Sequence, residues 1–267
     1  MNSVELAWKI RHHAIEMTHI SNGSHIASAL SMADIIAVLY SNVMKYNPRD
    51  PKDDTRDRFI LSKGHAGSAI YAALAEVGFF STDLLSTHTA NGSILSGHVS
   101  HKGVPGVELS TGSLGHGIGV AVGMSVAAKY DHKLHRIYVV IGDGECDEGS
   151  VWEAALFANH YKLDNLTVII DHNKMQSLKT CEETISLGNL GDKWRQFGWN
   201  VYEVDGHNHS ALSEVLLEQT DKPKCIVAHT IKGKGVSFME HNILWHYRAP
   251  QGEDYINAIK ELEAARI

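Results

Sequence analysis

Apolar positions divide this chain into two regimes. Over residues 4–20 and 33–43 they recur every three or four residues, which predicts amphipathic helices, and residues 64–77 continue as a helix of small side chains. Residues 49–58 form a charged, proline-containing connection, and residues 87–105 carry Gly, Ser and His without a period, so they read as loop. From residue 136 onward the apolar runs become short and β-branched. Residues 136–141 (RIYVVI), 166–170 (LTVII), 200–204 and 225–230 predict strands, with helical spacing returning over 150–161 and 210–220 and a closing helix over 253–266. Strands of this buried type, alternating with helices, predict an α/β fold with a doubly wound, mostly parallel sheet and helices on both faces. No repeat, low-complexity tract or linker divides it, so residues 1–267 are expected to form one domain.

Composition adds mainly exclusions. With 43% hydrophobic residues the chain can build a sizeable core. Its net charge of −7 is spread along the sequence, without the basic stripe that a nucleic-acid partner requires. The apolar runs fall far short of the roughly 20 residues of a membrane-spanning helix. The first nine residues show no secretory signal, so no membrane association or export is expected. Cys146, Cys181 and Cys225 are odd in number and lack CxxC spacing, which suits a reduced, cytoplasmic setting. Eighteen histidines are the one compositional oddity.

The most informative segment is Gly142-Asp143-Gly144-Glu145, at the end of a predicted strand and before a helix. Ligands of open parallel sheets bind at that edge. The two glycines permit a sharp turn and close backbone approach to an anion, and the following helix N-terminus offers amide dipoles. An aspartate there repels phosphate unless a divalent cation lies between them. The next predicted strand ends in Asp171-His172-Asn173-Lys174-Met175, whose oxygens could complete the shell of Mg²⁺ or Ca²⁺ together with Asp143. Two other anion motifs fail: residues 112–123 contain no GxGxxG, and Gly233-Lys234-Gly235 lacks the residues of a P-loop. Lys232 and Lys234 could approach phosphate, though a solvated loop explains them equally well, and His207-Asn208-His209, lacking further metal ligands, reads as capping or preceding a helix.

The strand–GDG–helix–strand–Asn series resembles the thiamine-diphosphate motif. Four further segments are similar to transketolases, in that family's order along nearly the whole chain: Ser24-His25-Ile26 with Leu30-Ser31-Met32-Ala33; Leu61-Ser62-Lys63-Gly64-His65-Ala66; Ser96-Gly97-His98 with Pro105-Gly106-Val107-Glu108 and Ser110-Thr111-Gly112-Ser113-Leu114-Gly115; and Trp245-His246 before Ala249-Pro250. Ile26, Ala27 and His116 depart from the family's usual Pro, Gly and Gln, which bears on substrate preference rather than on chemistry.

Carried over by residue, the resemblance implies that Asp143, Asn173 and the Met175 carbonyl hold the metal and that Gly144 approaches the diphosphate. His65 and His246 would lie beside the cofactor, the backbone at Gly112 and Leu114 would line its rings, and Glu148 would belong to the cofactor site as a carboxylate behind the direct contacts, near the subunit boundary. His25, His98 and His246 would face sugar hydroxyls, His25 and His246 moving protons and His98 positioning the donor. The aminopyrimidine-binding domain of a complete transketolase has no counterpart here. The resemblance therefore implies a separate pyrimidine-domain partner subunit, two copies of each (α2β2), and sugar phosphate substrates. Other thiamine-diphosphate enzymes, such as 2-oxo acid dehydrogenase α-subunits or deoxyxylulose-phosphate-type synthases, and a non-catalytic domain are the competing readings.

Overall fold

The structure, a computed structural model, describes residues 1–266. Its centre is a five-stranded sheet of β1 (Arg58–Leu61), β2 (Ile137–Gly142), β3 (Leu166–His172), β4 (Asn200–Asp205) and β5 (Lys224–His229). The order is β1-β2-β3-β5-β4 and every neighbouring pair is parallel. Around it lie α1 (Ser3–Ser21), α2 (Ile26–Ser31), α3 (Ala33–Val38), α4 (Gly67–Glu76), α5 (His116–Tyr130), α6 (Gly149–His160), α7 (Cys181–Thr184), α8 (Leu190–Gln196), α9 (His209–Leu217) and α10 (Glu253–Ala264).

Successive strand residues face opposite sides of a sheet, so a β-branched run builds two cores at once. Tyr138, Val140, Ile169 and Ile226 meet Leu6 and Ile10 of α1, Ile35 of α3, Leu74 of α4, Leu212 of α9 and Leu262 of α10. Val139, Ile141, Val168, Ile170 and Val227 meet Ile118 of α5, Val151 of α6 and Trp194 of α8. The expected doubly wound α/β layering, with helices on both faces, is what forms.

Several local expectations are corrected. Strand β1 is absent from the sequence pattern, because its three apolar residues after Arg58 are too few to show a period; pairing with β2 makes it a strand. Helix α5 is hidden by its glycines, each of which lowers helix propensity. At Gly117 the reason is steric: a Cβ there would lie 2.5 Å from Ser62 Oγ and 2.9 Å from Ser62 Cα. Residues 33–43 are α-helical only to Val38 and close in a π turn over Leu39–Val43. The segment from residue 64 opens as a 3-10 turn, Gly64–Ala66, before α4. Strand β3 runs on through His172, so Asp171 lies inside the sheet rather than ending the strand.

Candidate active site

The β2–β3 register pairs Gly142 with Asp171, so the loops that follow leave the carboxyl edge of the sheet side by side. Asp143 is buried, and its carboxylate accepts from the backbone N–H of Gly144 (2.8 Å) and Lys174 (2.5 Å), with His172 Nδ1 3.2 Å away. Asn173 is also buried; its Oδ1 accepts from the Met175 N–H at 3.1 Å and its Nδ2 donates to Asp171 at 3.2 Å. Asp143, Asn173 and Met175 line one pocket together with Gly144, Gly112, Leu114, His25, His65, His98 and His246. Ten of the eleven site residues expected from the sequence therefore meet in one place. Glu148 is the exception: it is exposed at the N-cap of α6, outside the pocket.

The turn itself differs from expectation. Gly142 and Gly144 are not among the positive-φ glycines; at Gly144 the requirement is space, since a Cβ would sit 2.9 Å from Gln176 Cγ. A 3-10 turn, Gly144–Asp147, separates the GDG from the start of α6, so that helix N-terminus is displaced from the aspartate.

Three buried charged groups at the site, Glu145, Lys63 and Lys232, lie outside the site residues expected from the sequence. Glu145 accepts from the Ser62 hydroxyl, from the Gly115 N–H at 2.8 Å and from the Gly142 N–H at 3.1 Å. It thereby ties the GDG turn to the loop carrying Gly112 and Leu114. Burial pushes its carboxyl pKa up, partly opposed by those hydrogen bonds. Lys63 pairs with the fully buried Asp171, which also accepts from Ser31 (2.6 Å), Thr230 and Asn173. Lys232, far from being solvated, is 1% exposed. Its ammonium donates to the carbonyls of Gln176 (2.7 Å) and Met175 (3.2 Å) and meets His246 Nδ1 at 3.1 Å. Burial, and then the Lys63 charge, lower its pKa to about 8. A lysine next to a Gly-rich loop is ambiguous in sequence; only the fold shows which way it points.

Four imidazoles crowd the mouth. The ring of His25 lies 4.9 Å from that of His246, 5.2 Å from His65 and 5.5 Å from His98, centroid to centroid. His25 adopts a left-handed backbone (φ 72°), sparsely populated for a non-glycine residue, and its N–H donates to the His246 carbonyl at 2.7 Å. Gly64 makes the crowding possible on the opposite wall, because a Cβ there would lie 2.5 Å from the Thr111 backbone. Burial, followed by His98 and Lys232, lowers the His25 pKa to about 4. Burial, followed by Lys232 and His25, lowers that of His246 to about 3. Burial and Lys63 hold His65 well below its usual range. Ordinary imidazole titration near neutrality does not describe His25 and His246 in this pocket. Both are neutral at pH 7, and Lys232 fixes His246 Nδ1 as an acceptor, leaving its Nε2–H as the donor.

Comparison with known proteins agrees with this geometry. The family profile described as "Transketolase, thiamine diphosphate binding domain" matches residues 3–264. The chain is 43% identical over 257 residues to one subunit of the apulose-4-phosphate transketolase of Phocaeicola vulgatus, covering 95% of this chain and 91% of that one. It is 44% identical over 243 residues to a 6-deoxy-6-sulfo-D-fructose transketolase subunit of a Clostridium species, covering 90% of this chain and 88% of that one. It superposes on the transketolase of Campylobacter jejuni with a TM-score of 0.92 at 30% identity, covering 98% of this chain but only 43% of that one. The fold, the converging pocket and these likenesses agree: the chain belongs to the transketolase family, corresponding to its thiamine-diphosphate-binding domain.

Proposed function

We propose that this chain is the diphosphate-binding subunit of a two-component transketolase, transferring a two-carbon glycolyl unit from a ketose phosphate to an aldose phosphate. One observation carries the reading: an all-oxygen set (Asp143 carboxylate, Asn173 amide, Met175 carbonyl), two buried ammonium groups and four imidazoles share one pocket. Hard oxygen donors suit Mg²⁺ or Ca²⁺ rather than a soft metal. Buried Lys63 and Lys232 suit a polyanion such as a diphosphate. Thiamine diphosphate, when bound, supplies a carbon nucleophile toward ketose carbonyls and an electron sink for C–C cleavage.

The chain's own residues have the remaining tasks. Asp143, Asn173 and Met175 would hold the divalent ion, and the Gly144 turn would admit the diphosphate beside it. Gly112 and Leu114 would face the ring system. Neutral His25 can accept a proton from a substrate hydroxyl, while His246, its Nδ1 turned to Lys232, offers its Nε2–H to a substrate oxygen, and a nearby anion raises both pKa values toward the working range. His98 and His65 would complete the hydrogen-bonding wall, which a sugar with several hydroxyls can use and a 2-oxo acid cannot. Glu148, exposed at the start of α6, would meet the partner subunit at the boundary. Relatives named as transketolase subunits, with substrates named for a phosphate or a sulfo group, support a separate partner subunit and an anionic sugar substrate; in this reading the partner carries the pyrimidine domain and the assembly is α2β2.

The test is reconstitution. The chain alone should be inactive; with thiamine diphosphate, Mg²⁺ and its pyrimidine-domain partner, it should convert ketose and aldose phosphates. His98→Ala should lower that turnover by about 10²-fold or more. Turnover of pyruvate in preference to ketose phosphates, or full activity of His98→Ala, overturns the reading.

A further inference from the structure

His207 and Asp34 lie outside the pocket, yet they grip the segment that carries Lys232. His207 Nδ1 is 2.6 Å from Asp34 Oδ2, and His207 Nε2 accepts the Ile231 N–H at 2.9 Å. A backbone N–H can only donate, so Nε2 carries no proton and the ring gives its single proton to Asp34. Asp34 is itself held by both terminal nitrogens of Arg11, at 3.0 and 2.5 Å, and by His209 Nε2 at 3.0 Å. Arg11 then uses its Nε to donate to the Lys234 carbonyl at 3.1 Å. One buried carboxylate therefore organises two arms that seize the backbone on either side of Lys232, at Ile231 and at Lys234. Between them the Gly233 N–H donates to the Ala27 carbonyl at 3.0 Å, beside the turn that carries His25.

We propose that His207 is a positioning residue for the cofactor site: by capturing the Ile231 amide it holds the Lys232 ammonium in the pocket, and so sets affinity for a pyrophosphate-bearing ligand. The inference rests on the functional reading above and deepens it. Without His207 the Ile231 N–H loses its partner, one arm of the grip opens, and Lys232 is free to leave the carbonyls of Met175 and Gln176. Asp34, Arg11 and His209 stay paired with one another, so the rest of the cluster survives the loss.

The test compares His207→Phe, which keeps a ring without acceptors, with His207→Gln, whose amide oxygen can reach the Ile231 N–H. Affinity of the full chain for inorganic pyrophosphate with Mg²⁺ is read by calorimetry, alone and in a Lys232→Met background. His207→Phe should weaken binding by about ten- to a hundredfold, the range for losing one hydrogen bond to a charged group. His207→Gln should recover most of it, and His207→Phe should add little once Lys232 is already Met. Wild-type affinity in a folded His207→Phe, or an equal loss in the Lys232→Met background, overturns the proposal. If His207→Phe does not fold, His207→Gln and His207→Asn decide: the longer amide should bind more tightly than the shorter, and equal affinities overturn it. If the unaltered chain binds neither pyrophosphate nor thiamine diphosphate, with partner present, the functional reading fails instead. Amide hydrogen exchange over residues 230–235 then still reads the grip, and unchanged protection in His207→Phe or His207→Asn overturns it.

Discussion

Asp171→Ala is the sharpest single test of how this pocket is supported. Asp171 is 0% exposed and Lys63 is 1% exposed, and the two are paired. The carboxylate also accepts from Ser31, Thr230 and Asn173; its loss strands the Thr230 hydroxyl and an Asn173 amide N–H, while Ser31 keeps the Ser28 carbonyl at 3.1 Å. Lys63 would keep only the Ser28 carbonyl, 3.3 Å away. Breaking a buried ion pair from one side costs about 3–5 kcal/mol. At about 2–4 °C per kcal/mol for a chain of roughly this size, the melting temperature should fall by about 6–20 °C. Differential scanning calorimetry measures this directly. The double variant Lys63→Met/Asp171→Leu removes both charges and should regain part of the loss, the Thr230 and Asn173 donors staying unpaired. Burial raises the Asp171 pKa, but Lys63 and the donated hydrogen bonds outweigh it and the net shift is downward. Its stabilisation is therefore complete above the unfolded carboxyl pKa of about 3.9 and is lost as pH falls through the lower folded value. The gap between wild type and Asp171→Ala should accordingly narrow in acid. A single variant melting within about 2 °C of wild type, or a double variant no better than the single, refutes the reasoning.

Three other outcomes follow from the same geometry. Asp143→Ala should weaken Mg²⁺-dependent thiamine diphosphate binding by more than about 100-fold, beyond the loss typical of an outer-shell partner; calorimetry with the partner present decides, and unchanged affinity would remove Asp143 from the ion site. Gly117→Ala should cost about 1–3 kcal/mol in urea unfolding, because the new Cβ must push Ser62 or shift α5. In the cofactor-free chain, NMR should show the His25 and His246 rings neutral from about pH 5.5 upward, since their pKa values lie near 4 and 3. The unfolded chain takes up those protons near pH 6.5 and the folded chain resists, so their contribution is complete above 6.5 and is lost as pH falls toward 4 and 3. Either ring titrating above about pH 6 would contradict the burial of these groups.

The sheet centre is legible in the sequence because β2, β3 and β5 are buried on both faces and must be apolar throughout. The Asp143–Asn173 pairing is legible too, since adjacent parallel strands deliver their loops together. Edge strand β1 and glycine-rich α5 escape for different reasons: one is too short to show a period, and the glycines of the other mask its period although only Gly117 is needed for a close approach. Lys63, Glu145 and Lys232 escape because burial of a charge depends on partners distant in sequence, and no local pattern announces it. The ring of histidines emerges through family likeness, whereas the lowered basicity of His25, His65 and His246 comes first from their burial and then from the cations packed beside them.

Those two cations have a consequence for the life of the molecule. Lys63 and Lys232 repel each other across the floor of one cleft, and an anion relieves that repulsion better than water does. Any tightly held polyphosphate thus acts as a folding ligand, adding roughly 2.7 kcal/mol when present at a hundred times its dissociation constant. Coenzyme supply would then govern how long the polypeptide survives proteolysis as well as how fast it works, so scarcity of the vitamin would deplete the protein before catalysis itself became limiting.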